Sequence, residues 1–411
     1  MSRSITSSAI FMDYDIIIVG GGPVGLITSK EIAKEGFKVA VIEEHQDIGY
    51  PVQCSGLFSV SGLKKLDLDL PDEIIANTIR GGRFYSPNGT EFEACSQVDR
   101  ARVVERKMFD KYLAKETIRA GAEVKLKSRV LGTKIEDNCT IKVNSFGKDL
   151  NLKSHLLIGA DGVRSNIARW NELKTPIKMV AAAQVEVAKA DVEEDIAELY
   201  FGRKYAPNFY AWILPKGEVF EVGIGARKPE TTPTKYLKRF METHPIASKK
   251  IDSRGIVEFN MGALPVDTPK DTVSDRLMIV GDAAGQTKAS TGGGVITGSI
   301  CGMIAAKASI KALEQGDFSK EFLKRNYEGE WKKELGLELE AHAFLRRFFD
   351  SMSDSQVDEL FIIAKEEGVD KMMTKYQDTD RPSKFVKKML KNERLLEWIQ
   401  GILDVGKTLK W

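Results

Sequence analysis

At 411 residues the chain is long enough for two or three domains around a large buried core. Hydrophobic residues at 42% and charged residues at 29% describe an ordinary globular protein, and 61 Lys and Arg against 59 Asp and Glu leave a net charge of +2, which excludes a polycation built for nucleic acid. Four cysteines (Cys54, Cys95, Cys139, Cys301) lack zinc-ribbon or paired-redox spacing, four scattered histidines (His45, His155, His244, His342) give no metal site, and no apolar run reaches the roughly 20 residues that span a bilayer.

Met1 to Phe11 are serine-rich and lack an export-type apolar region, so residues 1–12 read as a disordered extension. With no export signal ahead of them, the cysteines are expected to be free thiols in a reducing cytoplasm. Tyr14–Val19 is a short apolar run rich in β-branched residues, the signature of a buried parallel strand. It leads into Gly20-Gly21-Gly22-Pro23-Val24-Gly25, then a helical pattern ending at Gly36, then a second strand, Lys38–Ile42, closed by Glu43. This is a complete βαβ unit.

Short strands are expected across 80–104 and a helix from about Lys107 to Arg119, with Arg106 just before it. A strand bearing Val130 follows, and then a strand His155–Ile158 that ends in Gly159-Ala160-Asp161-Gly162. Residues 175–265 are strand-rich, with alternation at 180–187, 198–201 and 219–224. Leu277–Val280 is again a buried strand, ending in Gly281-Asp282-Ala283-Ala284-Gly285, and from about Ser290 the chain reads as helix.

Gly20, Gly22 and Gly25 fit G-x-G-x-x-G with the correct strand and helix on either side. The first glycine permits the tight turn, the second lets a pyrophosphate approach the backbone, and the third lets helix and strand pack closely. The helix N-terminus offers free N–H groups to the anion. Glu43 stands where an acid meets adenosine ribose hydroxyls. By itself this unit serves FAD or NAD equally.

The strand-end aspartates Asp161 and Asp282, each among small residues, follow in an order that resembles the para-hydroxybenzoate-hydroxylase-like flavoprotein superfamily over most of residues 13–310. The resemblance implies FAD as cofactor, with Arg106 beside the flavin chain, backbone near Val130 meeting adenine, and Gly294 and Val295 near the isoalloxazine. Gly223-Ile224-Gly225 lacks a third glycine and is expected in a strand, so no dedicated NAD(P)H domain is expected.

Two further segments, Pro51-Val52-Gln53-Cys54-Ser55-Gly56-Leu57 and Tyr210-Ala211-Trp212-Ile213-Leu214-Pro215, resemble the geranylgeranyl reductase family, specifically the archaeal enzymes that saturate digeranylgeranylglycerophospholipids. That family carries Pro-x-x-Cys and Tyr-x-Trp-x-Phe-Pro segments. Leu214 replaces the phenylalanine here, and Ser55-Gly56 shortens the loop, departures that bear on the substrate and the preferred double bond.

The resemblance implies Cys54, Tyr210 and Trp212 as catalytic residues, and Cys54, Ser55 and Gly56 beside the cofactor. Read without it, Cys54 is equally a small hydrophobe, and Tyr210 and Trp212 are equally core aromatics sharing one strand face. The superfamily also includes flavin-dependent monooxygenases, and Tyr210–Pro215 partly matches the Trp-x-Trp-x-Ile-Pro segment of flavin-dependent halogenases, so both activities are alternatives; a non-catalytic flavin- or lipid-binding protein is a third reading.

The implied fold is mixed α/β: a Rossmann-like FAD-binding domain (13–80, 101–174 and 266–318), an interleaved antiparallel-sheet substrate domain (81–100 and 175–265), and a helical C-terminal region (319–411). Lys384, Lys387, Lys388 and Lys391 recur at helical spacing, a solvated face or a contact for anionic headgroups. The expected partners are a geranylgeranylated lipid, NAD(P)H or a ferredoxin-like protein as electron donor, and the inner face of the cell membrane as a peripheral surface. No nucleic acid and no metal are expected.

Overall fold

The computed structural model describes residues 12–267, 271–376 and 378–403. The expected extension over 1–12 lies outside these residues except for Met12, as does the chain beyond 403. Strand Tyr14–Val19 is buried on both faces because helices cover one side of its sheet and a β-meander the other. Its parallel neighbours are Val39–Ile42 and Lys148–Gly159, in register Ile16↔Val39 and Ile16↔Leu156. The sheet continues through Leu277–Ile279 to Val273–Ser274 on one edge and to Glu123–Lys125 on the other, while Cys139–Ser145 pairs antiparallel with Lys148–Gly159 and Ser128–Ile135 with Cys139–Ser145. Ile16 and Ile18 pack against the helices, and Ile17 and Val19 against the meander and Ile167.

Three helices cover this sheet: Pro23–Ala33, Arg106–Arg119 and Val295–Gln315. The last is apolar and long enough to cross a bilayer by length and composition, with mean hydropathy 1.3. That corrects the expectation that no such run exists. Two-thirds of it (67%) is buried in the fold. The apolarity has a packing cause: a Cβ on Gly302 would lie 2.4 Å from Thr28 Oγ1, and one on Gly298 2.9 Å from Val24 Cγ2, so the helix lies directly on Pro23–Ala33.

The second sheet has seven strands in the order Ile256–Pro265, Met179–Val187, Val219–Ala226, Ala211–Lys216, Ile196–Tyr200, Gly81–Tyr85 and Glu91–Cys95. Every pairing is antiparallel except Ile196–Tyr200 with Gly81–Tyr85. Alternation gives this sheet two different faces. Ala183, Val185, Ile213, Val222 and Ile224 bury under helix Pro233–Thr243 with Tyr236, Leu237 and Phe240. Gln184, Leu199, Trp212 and Leu214 turn the other way. A small third sheet joins Leu57–Ser59, Ala101–Val104 and Ile75–Ile79.

The C-terminal helices divide between two cores. Phe322, Tyr327, Trp331 and Leu335 join the core beneath the first sheet, whereas Phe344, Phe348, Phe361 and Leu395 form their own cluster against Phe84, Phe92 and Phe201 of the second. Lys384, Lys387 and Lys388 are exposed on helix Ser383–Met389, and Lys391 lies beyond its end, so the basic stripe is shorter than its spacing predicts. Arg106 is the first residue of its helix, and Tyr210 precedes its strand by one residue.

Buried Tyr327 ties the helical region to the nucleotide sheet: its hydroxyl donates to Ile279 O at 2.6 Å and accepts from Gln286 Nε2 at 2.8 Å. Tyr327→Phe strands both partners in the core. A loss of about 1–3 kcal/mol is expected in chemical denaturation, with FAD stoichiometry retained.

Candidate functional site

A cavity of about 890 Å³ opens between the first sheet, the inner face of the second, and the C-terminal helices. Its nucleotide part begins at the glycine turn. Gly20 has φ +110°, and a Cβ there would sit 2.2 Å from Ala160 O. A Cβ on Gly25 would sit 2.1 Å from Gly20 O, so Gly25 permits the packing behind the site and does not itself line the cavity. Gly22 lines it with nothing within 4 Å of where a Cβ would stand, an open cradle at the N-cap of helix Pro23–Ala33. This is the form a pyrophosphate needs: clear backbone approach and a positive helix end.

Glu43 stands at the cavity edge. One carboxylate oxygen accepts from Gly21 N at 2.6 Å, and the other meets His45 through its backbone N–H at 2.9 Å and ring Nδ1 at 2.6 Å. Val130 and Asp161 also line the cavity. The Asp161 carboxylate, however, is already engaged by the Ser165 hydroxyl at 2.6 Å and the Asn166 and Ile167 N–H groups at 2.7 and 3.1 Å. Burial pushes its carboxyl upward against these bonds. Asp161 thus shapes the turn after Gly159 as well as facing the cavity.

Arg106, Cys54 and Asp282 lie together on the lining. Arg106 binds Asp110 through both Nε (3.1 Å) and Nη2 (2.9 Å). Burial opposes its charge, but Asp110 and the Cys54 sulfur hold the guanidinium firmly protonated. Burial raises the Asp282 carboxyl, opposed by the Thr287 hydroxyl at 2.8 Å and by Arg106. A Cβ on Gly294 would stand 2.4 Å from Asp282 Oδ1, and Gly294 is the N-cap of helix Val295–Gln315, so this aspartate and a helix N-terminus converge on the lining. Cys54 Sγ accepts from Gly56 N at 3.5 Å and, with Ser55, borders the cavity. Gly56, with φ +74°, is buried against Val104 O, where it holds the turn beside Cys54 and does not itself line the cavity.

The inner face of the second sheet supplies an apolar wall of Phe84, Ala197, Leu199, Trp212 and Leu214, joined by Leu264, Leu345 and Phe385. Tyr210 stacks on Phe209 at 4.3 Å and meets Trp212 edge-on at 5.9 Å. Its hydroxyl donates to Thr291 O at 2.6 Å, bracing the glycine loop. Gly223 and Gly225 form a flat floor for these rings: a Cβ on either would stand 2.2 Å from Trp212 Cζ2 or Phe209 Cδ1. The structure therefore places Cys54, Tyr210 and Trp212 on one cavity with every expected cofactor residue except Gly25 and Gly56.

Several lining groups had no motif to mark them. Lys288 lies along Gly293 and makes a buried ion pair with Asp380 at 2.6 Å; Ser59 also donates to Asp380. Burial opposes ionisation of Asp380, but Lys288 holds its carboxyl below the usual range. Ser290 pairs with His342 Nδ1 at 2.6 Å, and burial together with Lys288 pushes that imidazole down to about 3. Glu221 was equally unmarked, 1% exposed behind Trp212. Cys139 and Cys301 are buried as expected, whereas Cys95 is half-buried, and burial and Glu93 push its thiol up to about 12.

The site and fold define an FAD-binding oxidoreductase: the FAD binding domain family matches residues 13–325. A digeranylgeranylglycerophospholipid reductase of Methanocaldococcus jannaschii is 36% identical over 95% of this chain and 98% of that protein. The crystal structure of a geranylgeranyl bacteriochlorophyll reductase-like protein from Thermoplasma acidophilum superposes with TM-score 0.83 at 28% identity, covering 95% of this chain and 99% of that one. A p-nitrophenol 4-monooxygenase from Pseudomonas putida shares the fold alone, at 17% identity and TM-score 0.67 over 96% and 98% of the chains. The chain belongs to the digeranylgeranylglycerophospholipid reductase family, and FAD is its cofactor.

Burial raises the Glu221 carboxyl to about 7, with Trp212 and Lys216 opposing and Glu186 and Glu105 reinforcing the rise. The folded protein then holds a proton that the unfolded chain has released between about pH 4.5 and 7, so this group's contribution to stability falls as pH rises through that window. Glu221→Gln removes the dependence. Its unfolding free energy relative to the unsubstituted protein, read by chemical denaturation, is expected to be higher at pH 8 than at pH 5, by up to about 1.4 kcal/mol per pH unit across the window.

Proposed function

We propose that this chain saturates carbon–carbon double bonds in geranylgeranyl chains carried on glycerophospholipids. The observation that carries the reading is continuity: the Gly22 cradle, Arg106, Gly294 and the apolar wall around Trp212 line a single cavity. An isolated trisubstituted alkene is unpolarised, so saturation needs a proton and a hydride, with positive charge developing on the more substituted carbon. When bound and reduced, FAD supplies the hydride equivalent. The two electrons are proposed to come from NAD(P)H or a ferredoxin-like protein.

The chain's own residues have separate tasks in this reading. Gly20, Gly22, Glu43 and Arg106 hold the dinucleotide, while the N-terminus of helix Val295–Gln315 favours negative charge beside it. Leu199, Leu214, Leu264 and Phe385 exclude water from the prenyl chain. Cys54 Sγ, or a water it holds, delivers the proton. The Trp212 face stabilises the developing cation by about 0.5–2 kcal/mol. Phe385 reaches the cavity from a helix whose exposed face carries Lys384, Lys387 and Lys388, which supports peripheral docking on anionic headgroups.

The test is anaerobic. The purified holoprotein is reduced chemically and mixed with a digeranylgeranylglycerophospholipid, and the lipid is followed by mass spectrometry. Successive gains of two hydrogens, with flavin reoxidised in step, are the expected result. Unchanged lipid beside stable reduced flavin would count against the reading, and a reaction that requires oxygen would favour a monooxygenase or halogenase. Cys54→Ser should bind FAD fully and lose at least about tenfold in rate. Full turnover in that variant would remove Cys54 from proton delivery.

A further inference from the structure

Glu221 is a carboxylate with no evident structural task. It is 1% exposed, and burying such a group is costly unless something returns the cost. Its hydrogen-bond donors among the described residues are two neutral side chains that both line the cavity: Trp212 Nε1–H to Oε1 at 3.0 Å and Gln184 Nε2–H to Oε2 at 3.0 Å. Among the described residues no cation makes an ion pair with it. Lys216, on the adjacent strand, is held by Glu105 at 2.7 Å and Glu186 at 2.5 Å. The charge of Glu221 therefore reaches the cavity through the indole and the amide.

The indole is fixed to receive it. Trp212 is paired with Gly223, where a Cβ would stand 2.2 Å from Cζ2, so one ring face rests on bare backbone and the other is left for the cavity. An anion accepting the N–H makes the ring richer in π-electrons, and such a ring binds a cation more strongly.

We propose that Glu221, in its ionised form, is a positioning residue that fixes the Trp212 indole and raises the electron density with which it stabilises positive charge on the substrate alkene. This rests on the reductase reading above. The charged groups facing Glu221 are Lys216 from strand Ala211–Lys216, Glu186 from Met179–Val187, and Glu105 from the turn before helix Arg106–Arg119, with the Lys107–Glu258 pair at 3.3 Å beyond Glu186. Glu221→Gln keeps an acceptor for the indole and removes the charge, so it separates position from electrostatics.

The experiment follows reoxidation of the reduced holoenzyme by a digeranylgeranylglycerophospholipid, anaerobically, from pH 5.5 to 8.5. The unsubstituted enzyme should show a rate limb that rises with a midpoint near 7. Glu221→Gln should lack that limb, running about tenfold slower at pH 8 and close to equal at pH 5.5. Its reoxidation by oxygen should be unchanged, which shows an intact flavin site. Indole emission gives a second readout: the difference spectrum against Trp212→Phe should titrate near 7 and be flat in Glu221→Gln.

If Glu221→Gln fails to bind FAD, the emission titration of the unsubstituted protein decides, and the absence of an inflection overturns the proposal. An enzyme that no geranylgeranyl lipid reoxidises overturns the reductase reading and this role with it. Normal turnover with the same rising limb in both proteins overturns the role of Glu221 alone.

Discussion

Backbone meets backbone without intervening side chains at the end of strand Tyr14–Val19. Gly20 lies against Ala160 O, Gly25 against Gly20 O and Gly298 against Gly281, while Gly302, one turn on, makes room for the Thr28 hydroxyl. A single methyl at any of these points would force strands and helices apart, and interiors packed to crystal density do not absorb such shifts cheaply. The approach fixes helix Pro23–Ala33 so that its N-terminus opens on the cavity. It also brings helix Val295–Gln315 alongside, with its own N-terminus on the same lining. Two positive helix ends thus open on one cavity.

The second sheet solves a different problem. A seven-stranded sheet must bury one face, and helix Pro233–Thr243 supplies the cover. Its other face stays concave because glycines at 223 and 225 let large rings lie flat. The result is an apolar wall that needs no lid of its own, since the C-terminal helices close it with Leu345 and Phe385. Glu221 lies behind this wall, and at its seam with the helical region Lys288 and Asp380 neutralise each other. That ion pair joins the loop before helix Val295–Gln315 to the helical region, so the two parts that enclose the cavity are coupled at the cavity itself.

The glycine turn, Glu43 and the strand-end aspartates could be read in the sequence because each obeys a local rule of spacing. The turn made by Gly56, with its positive φ and its contact with Val104 O, could not be read from its place beside Cys54, because the partner strand is distant in sequence. Gly223-Ile224-Gly225 was read correctly as a strand, but its purpose was hidden: the reason for the glycines lies on the neighbouring strand, at Phe209 and Trp212. Helix Val295–Gln315 was missed as a span-length apolar element because its apolarity follows from burial by partners distant in sequence.

By itself the sequence determined the βαβ unit, the alternating strands, the helical C-terminal region and the glycine turn and strand-end aspartates that line the cavity, because periodicity and turn chemistry are local. Only the tertiary structure decided which face of the second sheet would become the cavity wall, and that Lys288, Ser290 and His342 would assemble on the lining with Asp380 paired to Lys288 from 92 residues away. It alone placed Glu221 behind Trp212, since that contact depends on strand register. Pairing across strands is set by burial summed over the whole sheet, and no single segment carries that information.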